Sequence, residues 1–285
     1  MPSSLLPLLP PVKSSSCEFV QFVSLLLRCW LPTWKGFDVG CSTFAFCLLC
    51  FASLCSRAAD SSPLRVGVTP QYPPLIYHDQ GQLVGVEPDF ARALGKELGR
   101  TVEFVQLDWD DEIPALVEGR TDIIMSSMSV TPARQLRVAF TKPYLSVGQM
   151  PLVRHEDLTR YAFGFPYRPP GVIGVIAGST GDFLVQQEFP KSKRKTFKSG
   201  ADASKALAKK KIDLFISDSP VVWWLASMNE ATLAVAPIYL TKEQLAWAVR
   251  RTDTNLLESV NNTLDKMQTN GQASTLLTRW IPEAH

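Results

Sequence analysis

The chain has 285 residues, of which 46% are hydrophobic and 20% charged, and a formal charge of +2. These are ordinary figures for a globular protein with chain enough for one large or two modest domains. All six cysteines (Cys17, Cys29, Cys41, Cys47, Cys50 and Cys55) precede residue 56, which excludes a disulfide or a thiolate metal site from the rest of the chain.

Residues 1–58 read as a leader. Lys35 supplies a positive charge, residues 39–54 form an almost unbroken apolar run, and Ser56-Arg57-Ala58 places small residues at the two positions a signal peptidase reads. Cleavage is expected after Ala58. The run approaches the lower limit for spanning a bilayer, so the competing reading is a retained anchor. Leu54, directly before Cys55, argues against a lipoprotein. Residues 1–34 are surplus to such a signal, either a long n-region or an artefact of start-codon placement. Removing residues 1–58 takes four of 29 basic and two of 27 acidic residues, leaving 25 of each. A neutral exported chain has no global field for nucleic acid or a membrane surface. The basic run at 191–198 (KSKRKTFK) is expected to be a solvated loop running into a strand.

After the leader the pattern alternates strand and helix. Residues 64–68 (LRVGV) read as a buried strand that stops at a rigid Pro-rich loop, 69–74. Residues 81–85 form a hairpin turn. Phe90, Ala91, Leu94 and Leu98 recur at helical spacing over 87–98, with Gly99 as the stop. A strand at 101–105, a short helix at 110–117 and an apolar strand at 123–125 follow. That third strand runs into Ser126, Ser127 and Ser129, then Thr131-Pro132, which starts a helical turn, then Arg134. Hydroxyls, free N–H groups and a guanidinium make a donor-rich corner suited to a small anion; the guanidinium fork matches a carboxylate. The competing reading of the stretch is a solvated turn with a surface arginine.

A second unit repeats the pattern: a strand at 172–177 ending in Gly178-Ser179-Thr180, a helix at 181–188, a strand at 194–198 and a helix at 201–209. A strand at 212–216 ends in Ser217-Asp218, and another helix starts at 218 or 220. A last strand is predicted at 244–249 (QLAWAV), and a final helix from 254 carries Leu256, Val260, Leu264 and Met267 on one face, capped by Gly271. Strand–helix–strand units at this pitch imply right-handed crossovers onto mostly parallel sheets, with ligands bound at the strands' carboxyl ends. Tyr72, Trp109, Ser126 to Ser129, Thr180 and Asp218 all stand at such ends. Thr180 also lies at a helix N-terminus, which favours an anion. Asp218 and Thr180 are equally readable as helix caps, Tyr72 and Trp109 as core aromatics, and Trp223-Trp224 as packing or cleft rim. His78, His155 and His285 are too scattered for a metal site.

Taken together, LRVGVTPQYPP, LVGVEPDFARAL, TDIIMSSMSVTPARQ, FTKPY, Gly178-Ser179-Thr180 and IDLFISD resemble, in order and spacing over residues 64–282, the bacterial extracytoplasmic solute-binding proteins of the polar amino-acid class, family 3. The resemblance implies an α/β, two-lobed, periplasmic-binding-protein-like (type II) fold with two hinge strands, around 146–154 and 240–249. Lobe 1 would comprise residues 59–149 and 241–285, and lobe 2 residues 150–240. By the same resemblance Arg134 clamps an α-carboxylate with Ser127, Ser129 and Thr180, and Ser179 is a further ligand-binding residue. Asp218 meets the α-ammonium, and Tyr72 and Trp109 wall the ligand side chain. A zwitterion buried between lobes needs each charge met separately, because an unpaired buried charge is costly.

The implied role is a periplasmic monomer that delivers an amino acid to the membrane permease of an ABC transporter, with no cofactor, metal or nucleic acid. Members that take Lys, Arg or His often carry an acidic residue at the position of Thr69; the threonine points to a neutral or small polar amino acid. The competing reading from another class is an exported cyclohexadienyl (prephenate or arogenate) dehydratase, which needs a carboxylic acid in the cleft as proton donor. Asp182 is the only carboxyl near the Gly178 loop, and no sequence feature requires it to take that role. A stand-alone sensor domain is a third reading, although sensor and transglycosylase versions of the fold would need further domains beyond His285.

Overall fold

The computed structural model describes residues 62–161 and 171–282. The leader, its cleavage point after Ala58 and the surplus segment 1–34 lie outside these residues. Among them no helix is long and apolar enough to cross a membrane.

β1 (Leu64–Val68) is buried at every position but Arg65. β2 (Gln71–Tyr72), β3 (Ile76–Asp79) and β4 (Gln82–Val84) form an antiparallel meander, so the predicted turn at 81–85 is half strand. α1 (Val86–Leu98) buries Phe90, Ala91 and Leu94, as its apolar spacing requires, and ends at Gly99, whose φ of 68° suits a residue without Cβ. β5 (Val102–Gln106) pairs in parallel with β1. A 3-10 turn at Trp109–Asp111 precedes α2 (Glu112–Val117). β6 (Ile123–Ile124) then pairs in parallel with the other side of β1. α3 (Pro132–Gln135) is a single turn, capped by Thr131. With β7 (Ala139–Phe140), this sheet runs β5-β1-β6-β15-β7, where β15 (Ala248–Val249) returns from the far end of the chain.

β8 (Leu145–Val147) leads out of this sheet, and β9 (Gln149–Arg154) enters a second one. There β10 (Val172–Ile176) pairs in parallel with β11 (Lys193–Phe197) and β12 (Leu214–Asp218), and β9 runs antiparallel to β12 and to β13 (Leu233–Val235). α4 (Thr180–Glu188), α5 (Gly200–Ala208) and α6 (Ser219–Ser227) cross between or follow these strands. The chain goes back through β14 (Glu243–Leu245), which pairs antiparallel with β8. Two α/β lobes are thus joined by the β8–β14 ribbon.

Three expected elements come out differently. The strand at 244–249 is broken into β14 and β15 because Ala246 and Trp247 leave the ladder: Ala246 N donates to Met128 O, and Trp247 turns its ring into the core. The stretch expected as one connecting strand, 146–154, divides at Gly148 between β8 and β9. The last helix is two helices. Gly271, at φ 78°, ends α7 (Thr254–Thr269) and starts α8 (Gln272–Trp280), whose Ala273 and Leu276 are buried.

The core of the first lobe centres on Phe90, Tyr144 and Trp247, with ring centroids 5.3 to 5.6 Å apart. Replacing a fully buried aromatic here removes packing next to β8, a strand of the connecting ribbon, and next to β15, the strand that follows the ribbon.

A ligand-binding cleft between two lobes

The polar corner that follows β6 is built as its sequence suggests, and strained. Ser127 takes φ 57°, uncommon for a residue with a side chain. Its N–H donates to Glu87 Oε1 at 2.5 Å, and its hydroxyl is buried with no hydrogen-bond partner. Ser126 Oγ accepts from Thr69 N at 2.9 Å. Arg134 leaves the single turn of α3 and folds back, with Nη1 donating to Ser129 O at 2.8 Å and the guanidinium 5.1 Å from the Trp109 ring centroid. Burial lowers its pKa from the ordinary arginine value, against the raising effect of Asp218, Glu243 and Tyr72.

The second lobe supplies the opposite wall. Gly178 adopts φ 68° after β10, and a Cβ there would approach Asp110 and Trp109. Ser179 caps α4 by accepting from Asp182 N at 3.1 Å. Thr180 Oγ1 donates to Glu243 Oε2 at 2.7 Å and accepts from Gln149 Nε2 at 3.1 Å. Asp218, 4% exposed, occupies the N-cap position of α6, yet its side chain makes no capping bond. Its carboxylate instead accepts from the Tyr72 hydroxyl at 2.8 Å and from Gln149 Nε2. Burial raises its pKa to about 7, and Glu243 adds to the rise. The bonds from Tyr72 and Gln149 and the Arg134 charge oppose it.

Tyr72, Trp109, Ser127, Ser129, Arg134, Ser179, Thr180 and Asp218 all line one cleft of about 520 Å³ measured to its open mouth, together with Thr69, Gln71, Ser126, Ile176 and Lys198. The lobes touch across it. Tyr72 reaches Asp218, Trp109 Nε1 donates to Gly178 O at 3.3 Å, and Arg134 Nη2 lies 3.4 Å from the same carbonyl. The arrangement places a donor-rich corner and a buried carboxylate on opposite walls, with an aromatic ring beside each.

Three supporting residues are not evident from sequence. Gln149, the first residue of β9, bridges Thr180 and Asp218. Glu243, in the connecting ribbon, holds Thr180. Glu87, 1% exposed in the first turn of α1, accepts from Ser127 N, from the Tyr144 hydroxyl at 2.6 Å and from Trp247 Nε1 at 2.9 Å. It thereby ties the strained corner to residues flanking both ribbon strands. Exchanging Glu87 for glutamine sets an NH2 against one of these donors. The leftover buried donors should cost about 1–3 kcal/mol, read as a lower urea midpoint with an unchanged denaturant slope.

Two acids lie elsewhere than the sequence suggests. Behind Thr69, whose hydroxyl donates to Glu112 Oε1 at 2.9 Å, a carboxylate is present but fully buried, and burial lifts its pKa to about 7. Asp182 turns away from the cleft: it accepts from Gly178 N at 3.0 Å and pairs with Arg194. Of the described histidines, His78 lies beside Gln106 Oε1 and His155 beside Glu230 O. Among the described residues no cluster could hold a metal ion.

Two α/β lobes joined by a two-strand ribbon, with a polar cleft at the carboxyl ends of their strands, define a bilobal solute-binding protein. The chain matches the model for bacterial extracellular solute-binding proteins, family 3, over residues 64–283, and it belongs to that family. It is 29% identical over 239 residues to a putative ABC transporter arginine-binding protein of Escherichia coli strain K12, covering 80% of this chain and 94% of that protein. Among solved structures it is similar to an ancestral amino-acid-binding protein described as a precursor of cyclohexadienyl dehydratase. That match has 35% identity and a TM-score of 0.71, and covers 77% of this chain and 95% of the other. It is also similar to a putative binding component of an ABC transporter from Wolinella succinogenes complexed with lysine, at 30% identity and TM-score 0.71, over 78% of this chain and 96% of the other.

Proposed function

We propose that this protein captures an α-amino acid between its lobes outside the cytoplasm and delivers it to the membrane permease of an ABC importer, acting as a monomeric carrier and not as a catalyst. The observation that carries the reading is the placement of Arg134 and Asp218 on opposite walls of one cleft. An α-amino acid presents a carboxylate and an ammonium, and neither lobe alone satisfies both. Arg134, Ser127, Ser129 and Thr180 take the carboxylate; Asp218 takes the ammonium; Tyr72 and Trp109 enclose the side chain. Ligand binding then favours the closed arrangement because only that arrangement meets both charges. The moving bodies are residues 59–149 with 241–285, and residues 150–240, pivoting on the β8–β14 ribbon. The amino-acid ligands named for related proteins support this reading.

The dehydratase reading draws on the likeness to a dehydratase precursor, itself described as a binding protein. It loses its proposed proton donor, since Asp182 is engaged with Gly178 and Arg194 outside the cleft. The test is a thermal-shift screen of the full chain in detergent against the twenty amino acids, prephenate and arogenate, with product followed for the last two. A ligand at about 100 times its dissociation constant adds roughly 2.7 kcal/mol. One class of amino acid should raise the melting midpoint without turnover. Turnover of a dienyl acid with no amino-acid response overturns the proposal.

A further inference from the structure

Among the described residues, three charged side chains line the cleft: Arg134, Asp218 and Lys198. On the reading just proposed, the ligand's zwitterion occupies the first two, and a cation is left over. Lys198 directly follows β11, and the pairing of Ile176 with Phe197 sets it beside the Ile176–Gly178 segment, on which Trp109 closes. It therefore stands on the part of the cleft that carries the Trp109 contact, which the proposed reading gives to the ligand side chain.

The carboxylates nearest that region are directed elsewhere. Glu112 lies buried behind the Thr69 hydroxyl, Asp182 is tied to Gly178 and Arg194, and Glu243 accepts from Thr180 and Thr241. Asp110, exposed, approaches Gly178 without lining the cleft. The remaining polar residues that line the cleft here are Thr69, Gln71, Ser126 and Lys198. A guanidinium or ammonium entering here would meet a like charge, and the one lining carboxylate among the described residues, Asp218, is taken by the α-ammonium on the proposed reading. Such a repulsive element contributes to specificity alongside attractive ones.

We infer that the cleft selects a dicarboxylic amino acid, whose side-chain carboxylate pairs with Lys198, and rejects cationic amino acids. This narrows the amino-acid reading and rests on it. The selectivity differs from the arginine and lysine ligands named for the relatives above.

The test is calorimetric titration of the full chain with L-glutamate, L-aspartate, L-glutamine, L-arginine and L-lysine, for the native protein and Lys198→Ala. Lys198 is exposed, so the variant should fold as the native chain does. Expected is glutamate or aspartate binding at least about tenfold tighter than arginine or lysine. In Lys198→Ala that acid should lose about fivefold, in the range of a single solvent-facing ion pair, while glutamine changes less than twofold. Tighter binding of arginine or lysine by the native protein overturns the inference. So does an equal loss of glutamate and glutamine in the variant. If none of the five binds, this inference falls and the thermal-shift screen decides the broader reading separately. If glutamine binds but glutamate does not, only the narrower one fails.

Discussion

Replacing Arg134 by alanine should lower amino-acid affinity roughly thirtyfold or more. Among the described residues the guanidinium is the one cation on the first lobe's wall of the cleft, and no other lining group there can form a paired fork on a carboxylate. Truncating one partner of a buried hydrogen-bonded charge pair costs about 2–5 kcal/mol, because the other charge is left without its counterion. The same substitution also removes the stacking on Trp109 and the bond to Ser129 O. Loosening of the unliganded corner is separable from lost recognition: Arg134→Lys keeps a charge while losing the fork, so its affinity should fall between native and alanine. Calorimetric titration of both variants with the best ligand from the screen decides it. A loss under twofold for Arg134→Ala would mean the carboxylate is held elsewhere.

Local periodicity carried much of the fold. β1, α1 and α7 came out within a residue or two of their predicted bounds, because each has an apolar stripe with a local stop such as Gly99. The break in QLAWAV was not legible, since Trp247 reads as one more apolar strand residue until the ring's partners, Glu87, Phe90 and Tyr144, are brought to it from more than 100 residues away. The division after Gly271 was missed for a different reason. A glycine with positive φ ends one helix and equally starts the next, so a cap was read where a turn stands.

The same division holds for the site. Arg134 and the serines lie within one short stretch whose residue types announce an anion, and Asp218 ends an apolar strand; their convergence on one cleft follows from sheet topology. Glu87 reads in sequence as an ordinary acid in a first helical turn, and only the folded chain shows three donors converging on it. Lys198 was hidden by its neighbours. In a run of basic residues, strand geometry leaves Lys193 and Lys195 exposed on the edge strand, while the end of the strand carries Lys198 to the cleft. Thr69 illustrates a further limit: the acid missing at that position is present one layer back, on Glu112, as a fully buried carboxyl whose pKa burial raises to about 7 and not as a wall of the cleft.

Exchanging Asp218 for asparagine should cost at least as much affinity as the loss of Arg134 and should also remove the pH dependence of binding. In the unliganded protein, burial and the nearby Glu243 raise this carboxyl from 3.8 to about 7. Only the carboxylate pairs with an ammonium, so binding below pH 7 must first expel a proton, and native affinity should fall as pH drops through about 7, toward a limit of tenfold per pH unit. Stability without ligand runs the other way. A carboxyl whose folded pKa lies above its unfolded value contributes stability that is fully present below about pH 4 and is lost as pH rises through about 7. Asp218 and Glu112 both contribute in this sense, so the unliganded protein should melt lower at pH 8 than at pH 5.5. The shift produced by a saturating neutral amino acid should be larger at pH 8 than at pH 5.5. Asp218→Asn should abolish that difference between the two ligand shifts, while the Glu112 part of the unliganded trend persists. Equal ligand shifts at both pH values in the native protein would show that the ammonium is met by some group other than Asp218.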